Sequence, residues 1–112
     1  HLPIDIDNKK MDIDNAEYGT IGLESFFGAL LNIFSLEKTI KILTSGKSRF
    51  GIKDYTIEEG SNSNISLFAI DKQYVFSKSH ILSKSKNSAF LGTKMKGRPI
   101  GIIAKEKFLI ND

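Results

Sequence analysis

Leu23-Glu24-Ser25-Phe26-Phe27-Gly28-Ala29-Leu30-Leu31-Asn32-Ile33-Phe34 contains the longest apolar run of the chain, Phe26–Leu31, extended past Asn32 by Ile33-Phe34. Leu23, Phe26, Phe27, Leu30, Leu31 and Phe34 recur every three or four residues, which puts them on one wide stripe of a helix. The spacing predicts a helix over 22–34, with Thr20 as N-cap and Glu24 in the first turn, where the helix dipole favours an anion. A second helix is predicted over 36–44. Ser35 is its cap, Glu37 suits its start, and Lys38 and Lys41 suit its later turns. Leu36, Ile40 and Leu43 form its inner face, and Gly46 ends it.

From Ile52 onward the apolar period changes to two, the signature of strands. Ile65, Leu67 and Ala69 alternate with Ser66 and Phe68, and Tyr74-Val75-Phe76 is a short strand of its own. Ile100, Ile102 and Ala104 form a third run, and Phe108-Leu109-Ile110 a fourth. The last two flank Lys105-Glu106-Lys107 and read as a hairpin. A two-residue hairpin turn prefers Asn-Gly or Asp-Gly, because both central residues need positive φ. Lys105-Glu106 offers neither, so the turn is expected to be wider or strained. Residues 1–20 are polar and read as loop. The chain is thus an α+β sequence, two helices followed by four to six short strands, and neither half has enough inward-facing residues to look complete.

Composition narrows the function classes. The chain has 112 residues, 16 Lys+Arg, 13 Asp+Glu and no Cys, with 40% hydrophobic and 26% charged residues. That excludes a disordered tail and a disulfide scaffold. No apolar run approaches the ~20 residues of a membrane span. The chain opens on His1-Leu2-Pro3, with neither Met nor a signal peptide, and is expected to be a fragment of a cytoplasmic protein. Residues 1–60 carry 7 basic and 10 acidic residues; residues 61–112 carry 9 and 3. Lys78, Lys84, Lys86, Lys94, Lys96 and Arg98 could form a phosphate-binding stripe. Lys outnumbers Arg, however, and the aromatics are not interleaved for stacking on bases. A solvated surface is the preferred reading, with no nucleic acid and no membrane as partner.

Few residues point to chemistry on their own. Zinc needs three or four converging ligands, and the chain offers only His1 and His80, the latter read as a surface or hydrogen-bonding histidine. Asp5, Asp7, Asp12 and Asp14 suggest calcium, but neither frame places acids and glycine where an EF-hand loop needs them. Asx-turns explain them better. Gly19-Thr20-Ile21-Gly22 could cradle an anion at a helix N-terminus, yet it is no nucleotide motif. No serine has an evident base.

Four stretches together resemble dihydroorotase, a cyclic amidohydrolase. His1-Leu2-Pro3 resembles the middle of the family's Asp-His-x-Pro-His motif. Residues 16–24, Ala-Glu-Tyr-Gly-Thr-Ile-Gly-Leu-Glu, resemble Ala-Pro-Phe-Gly-x-x-Gly-Leu-Glu. Residues 57–68, Ile-Glu-Glu-Gly-Ser-Asn-Ser-Asn-Ile-Ser-Leu-Phe, resemble the stretch Ile-x-Glu-Gly-x-x-Ala-Asn/Asp-Leu-x-Leu-Phe. Residues 83–92, Ser-Lys-Ser-Lys-Asn-Ser-Ala-Phe-Leu-Gly, resemble Ser-Lys-Ser-Lys-Asn-Ser-Pro-Phe-x-Gly. The second and fourth point most narrowly to dihydroorotase.

The resemblance implies a fold. Residues 1–50 are the end of an amidohydrolase (β/α)8 barrel, with an active-site loop and two helices, and residues 51–112 are the C-terminal part of its β-sandwich domain. It also implies an activity for the full-length parent: zinc-dependent interconversion of N-carbamoyl-aspartate and dihydroorotate in pyrimidine biosynthesis. The metal ligands lie upstream, and the catalytic Asp falls just before His1. No catalytic residue, metal ligand or cofactor is therefore expected within the chain, which alone is inactive. Gly19, Tyr18 and Glu17 are the substrate-binding positions. Ile4 occupies the family's substrate-contacting His position and Glu17 its Pro position, so the parent is read as an active or a degenerate variant. The implied partners are the missing barrel portion of the same chain, a second copy, or aspartate carbamoyltransferase. A hydantoinase- or allantoinase-like amidohydrolase and a non-enzymatic basic β-rich module are the alternatives.

Overall fold

The apolar stripe does form a helix, but it starts later than its spacing predicts. In the computed structural model, which describes residues 4–62, 64–105 and 107–110, helix α1 runs Phe26–Ile33. Residues 23–25 are a turn. The side chains expected to start the helix are engaged elsewhere. Thr20 Oγ1 accepts the Ala89 N–H at 3.0 Å, and Glu24 Oε1 accepts from Ser83. Such bonds compete directly with capping. Ser25 stands at the N-cap position instead without a side-chain cap, its hydroxyl donating to the Gly22 carbonyl at 3.1 Å.

Helix α2 spans Leu36–Thr44, as its sequence predicts, and Ser35 Oγ accepts the Lys38 N–H at 3.3 Å. Its inner face does not behave as expected. Leu36, Ile40 and Leu43 remain exposed, and only Thr39, between them, is fully buried. Among the elements, α2 leans on α1. The seam is narrow, and the flanks of the apolar stripe stay in solvent. Gly46 does not stop the chain: its φ is −75°, a 3-10 turn follows over Lys47–Phe50, and Gly51, at φ 63°, makes the left-handed exit.

Three antiparallel strands follow in the order β1-β2-β3: β1 Asn64–Val75, β2 Lys94–Ala104 and β3 Lys107–Ile110. Four to six were expected. Two predicted runs are one strand, β1, carried through an irregularity: Ala69 pairs Arg98 and Gln73 pairs Lys96, so residues 70–72 stand opposite Gly97. Residues 52–62 contain no strand. The hairpin turn takes the strained form. Ala104 pairs Lys107, and Lys105 sits at φ 55°; Glu106 lies outside the described residues.

Two glycines let α1 lie on the sheet. A Cβ at Gly28 would come within 3.0 Å of Met95 Sδ and 3.1 Å of the Lys96 carbonyl. At Gly97, where φ is 76°, a Cβ would fall 2.4 Å from Leu31 Cδ1 and 2.7 Å from Phe27 Cε1. With the backbones this close, Phe27 stacks on Phe68 with ring centroids 3.9 Å apart. The buried hydrophobic residues are Ile21, Phe76, Ile81 and Met95, flanked by Ala29, Tyr74, Phe90 and Leu91.

That core is small for the length. The radius of gyration is 16.5 Å, against about 13 Å for a closed domain of this size. Leu23, Phe26, Ile33, Phe108, Leu109 and Ile110 are exposed. The α1–β2 contact is the main packing of helix against sheet. Gly97→Ala combines a forbidden φ with a clash against two packed side chains, and it is expected to cost about 3 kcal/mol of unfolding free energy in denaturant titration. A loss below about 0.5 kcal/mol would show that the contact is not as tight as its geometry.

Candidate functional site

Residues 83–89 form a strap across the loop that precedes α1. At one end the Ser83 backbone N–H, at 2.9 Å, and its hydroxyl both donate to Glu24 Oε1. In the middle the Ser85 hydroxyl donates to the Ile4 carbonyl. Asn87 makes the most contacts. Its Nδ2 donates to the Gly19 carbonyl at 3.1 Å, and its own carbonyl accepts the Ile21 N–H at 2.9 Å and the Thr20 hydroxyl at 3.2 Å. The Ala89 N–H closes the far end on Thr20 Oγ1. The strap is also braced within itself and to its flanks: Asn87 N–H donates to Ser85 Oγ, Phe90 N–H to Ser88 Oγ, and Lys86 Nζ to the Ile81 carbonyl.

The chemistry of these residues explains the arrangement. Ser and Asn are short and polar, and they satisfy nearby backbone groups more readily than they enter a helix or strand. Ile21, between the gripped residues, is 1% exposed. The strap thus delivers one apolar side chain to the core while it holds the polar backbone on either side. Behind it, Ser77 and His80 form a reciprocal box: Ser77 N–H donates to His80 Nδ1 at 3.1 Å. The imidazole lies 5.1 Å from the Tyr74 ring and 5.9 Å from that of Phe76, centroid to centroid. His80 is therefore the hydrogen-bonding histidine that its context predicted.

The structure brings together some of the sequence-predicted positions. Ile4 and Gly19, fifteen residues apart, hang from Ser85 and Asn87 of the same strap. Gly19 has φ 133°, a value open to glycine and strained for other residues. Among the described residues no acceptor faces its N–H. Tyr18 beside it is 87% exposed. Glu17 turns back to its own loop: its carboxylate accepts from Asn8 Nδ2 at 3.3 Å, and its carbonyl accepts from Lys9 Nζ. His1, Leu2 and Pro3, with Ser63 of the third motif, lie outside the described residues.

Other early readings change. Thr20 is no N-cap, and residues 19–22 do not open a helix: the Ile21 N–H is already bonded to Asn87 and α1 begins only at Phe26. The acidic loop does make an Asx-turn, with Asp5 Oδ1 accepting the Asp7 N–H at 3.1 Å, and Asp7 pairs with Lys10 at 2.7 Å. Among the described residues no three His, Asp or Glu side chains gather as a metal-ligand set. No helix among them is long and apolar enough to cross a membrane.

Comparison with known proteins agrees with the motifs that meet at the strap. No protein-family profile matches the chain. Curated relatives do. The dihydroorotase of Endomicrobium trichonymphae is 34% identical over 105 aligned residues, covering 87% of this chain and 25% of that protein. That of Bacillus subtilis strain 168 is 32% identical, covering 96% of the chain and 27% of the relative. The Chlorobaculum tepidum dihydroorotase is 29% identical over 98% of the chain and 27% of its own length. All three relatives are dihydroorotases, and the chain is similar to each over most of its own length. It spans about a quarter of the length of the curated relatives it matches. The two stretches that most resemble dihydroorotase motifs, residues 16–24 and 83–92, are the two partners of the strap contact.

Four contributors had no assigned role in the sequence reading: Ser83, Ser85, Asn87 and Glu24 as the strap's anchor. The available signal was the run of short polar residues from Ser83 to Ser88, which has neither strand nor helix period. Glu24 shows how tightly the anchor is made. Burial alone pushes its carboxyl upward, but the hydroxyl and backbone N–H of Ser83 outweigh this and hold it below the ordinary 4.5. A carboxyl depressed in the folded state contributes stability above its ordinary value and loses it as pH falls through the lower folded value. The strap is therefore expected to loosen only in acid, below pH 4.5. Ser83→Ala removes the hydroxyl donor and should move the Glu24 midpoint upward in a carboxyl NMR titration. An unmoved midpoint would assign the shift to another donor.

Proposed function

We propose that the chain is the C-terminal part of a dihydroorotase, a metal-dependent cyclic amide hydrolase that interconverts N-carbamoyl-aspartate and dihydroorotate in pyrimidine biosynthesis. The observation that carries this reading is the strap itself. Two stretches that resemble dihydroorotase motifs, some sixty residues apart in the chain, are mutual hydrogen-bond partners, and together they hold Ile4 and Gly19. In this reading residues 1–50 close a (β/α)8 barrel and residues 51–112 belong to its β-sandwich. The exposed faces of α1, α2 and β3 are then covered by the remaining three quarters of a cytoplasmic parent.

The chain's own contribution is to bind and orient. The Gly19 N–H donates to the carboxylate of the substrate, and Tyr18 lines the approach to it. Glu17 borders the same place, and its charge is answered by Asn8 Nδ2 within the loop. Zinc does not fit the described part of this chain, which brings no ligand set together. Metal and catalytic aspartate belong to the rest of the parent.

Ile4 makes the parent weaker than a form with histidine at that position. An aliphatic side chain cannot donate to a carboxylate, and a lost charge-assisted bond costs about 1–3 kcal/mol. The full-length protein, purified with its metal, is expected to turn over dihydroorotate; no turnover at any substrate concentration would overturn the assignment as an active enzyme. Ile4→His in that protein should lower KM about tenfold, the equivalent of one such bond. An unchanged KM would show that Ile4 is not the source of any defect.

A further inference from the structure

We propose that Asn87 is a positioning residue: it aims the Gly19 N–H at the anionic substrate without touching the substrate itself. The inference deepens the reading above and rests on it for the identity of that substrate. Its physical basis is a grip at two points. Asn87 Nδ2 holds the Gly19 carbonyl at 3.1 Å, and the Asn87 carbonyl holds the Ile21 N–H at 2.9 Å. The two bonds bracket Thr20, whose hydroxyl is itself bound to the strap at 3.0 and 3.2 Å.

A glycine at φ 133° needs such a grip. Glycine visits many backbone conformations at similar energy, so nothing local selects this one. Once the Gly19 carbonyl and the peptide groups beyond it are fixed, the direction of the Gly19 N–H depends on the two torsions of Gly19 alone. The Asn87 carboxamide sets the carbonyl that limits both. Asn87 is in turn held by Ser85, which donates to the Ile4 carbonyl and accepts the Asn87 N–H at 3.2 Å. The two positions expected to face the substrate are thereby fixed relative to each other through three residues of strap.

A merely structural Asn87 and a positioning Asn87 differ in what they change. The test uses the full-length protein with Asn87→Ala, and with Asn87→Asp, which keeps the shape and the carbonyl grip but loses the Nδ2 donor. The readouts are KM and kcat for dihydroorotate, and backbone amide exchange across 17–22 and across the strands. Positioning predicts KM raised about tenfold in both variants, the equivalent of one hydrogen bond to a charged group. It further predicts kcat within about twofold and faster exchange confined to 17–22. Unchanged KM, or faster exchange spread through β1 and β2 with a fall in kcat, overturns it. If the wild-type protein turns over no dihydroorotate, the functional reading fails by itself. Exchange then decides the inference: loosening confined to 17–22 supports the loop-holding role, and unchanged or global exchange overturns it.

Discussion

The grip of Asn87 on the backbone either side of Thr20 is the constraint from which the site follows. It is a contact between segments nearly seventy residues apart, so its formation joins the part of the chain before α1 to the part before β2. Three consequences share that one cause. Ile21 is turned into the core. Thr20 is drawn away from the helix end, which delays α1 to Phe26. Gly19 is left at a φ that only glycine adopts at low cost. None of the three is a property of the loop alone.

The strap also explains why so few apolar residues suffice to organise the fold. Ile21, Phe76, Ile81 and Met95 form the buried core; Ile21 and Ile81 are bonded to the strap itself, Phe76 to the segment that follows it, and Met95 lies against α1. Ile21 N–H bonds to Asn87, Ile81 accepts Lys86 Nζ through its carbonyl, and Phe76 accepts the Gly92 N–H. Met95 sits beneath Gly28. Polar backbone satisfaction and apolar burial are thus met by the same short stretch, as buried backbone groups require partners. Where no strap reaches, the apolar stripes of α1, α2 and β3 stay half in water.

What the sequence made legible and what it left hidden divide along the same line. Helix α2 has its start set by a neighbour, Ser35, and its span is readable. The period-two runs are readable too, because strand faces alternate regardless of partner. Thr20 and Glu24 look like helix-starting residues in any local reading, since capping is judged from the next four residues. Their actual partners, Ala89 and Ser83, are remote, and hydrogen bonds between remote segments leave no period in either. The two β1 runs join through a register shift opposite Gly97, which alternation does not reveal. Gly19 and Ile4 drew notice through motif resemblance, and the structure shows both held by the strap. Asn87 stood in a quoted motif, but its role appears only once its partner is across from it.

The departures at Ile4 and Glu17 also look different once the backbone frame is considered. The strap holds Ile4 by its carbonyl and Gly19 by its carbonyl. Neither bond depends on the side chain at those positions. A histidine or an isoleucine at position 4 therefore hangs from the same point on Ser85, and the change alters what the site offers without moving where it offers it. Glu17 is likewise accommodated by Asn8 inside the loop, which leaves the strap bonds untouched. Substitution at positions 4 and 17 is thus decoupled from the hydrogen bonds of the strap. A frame made of backbone carbonyls and short polar side chains can persist through changes of side chain at the positions it holds, because what it constrains is the path of the chain.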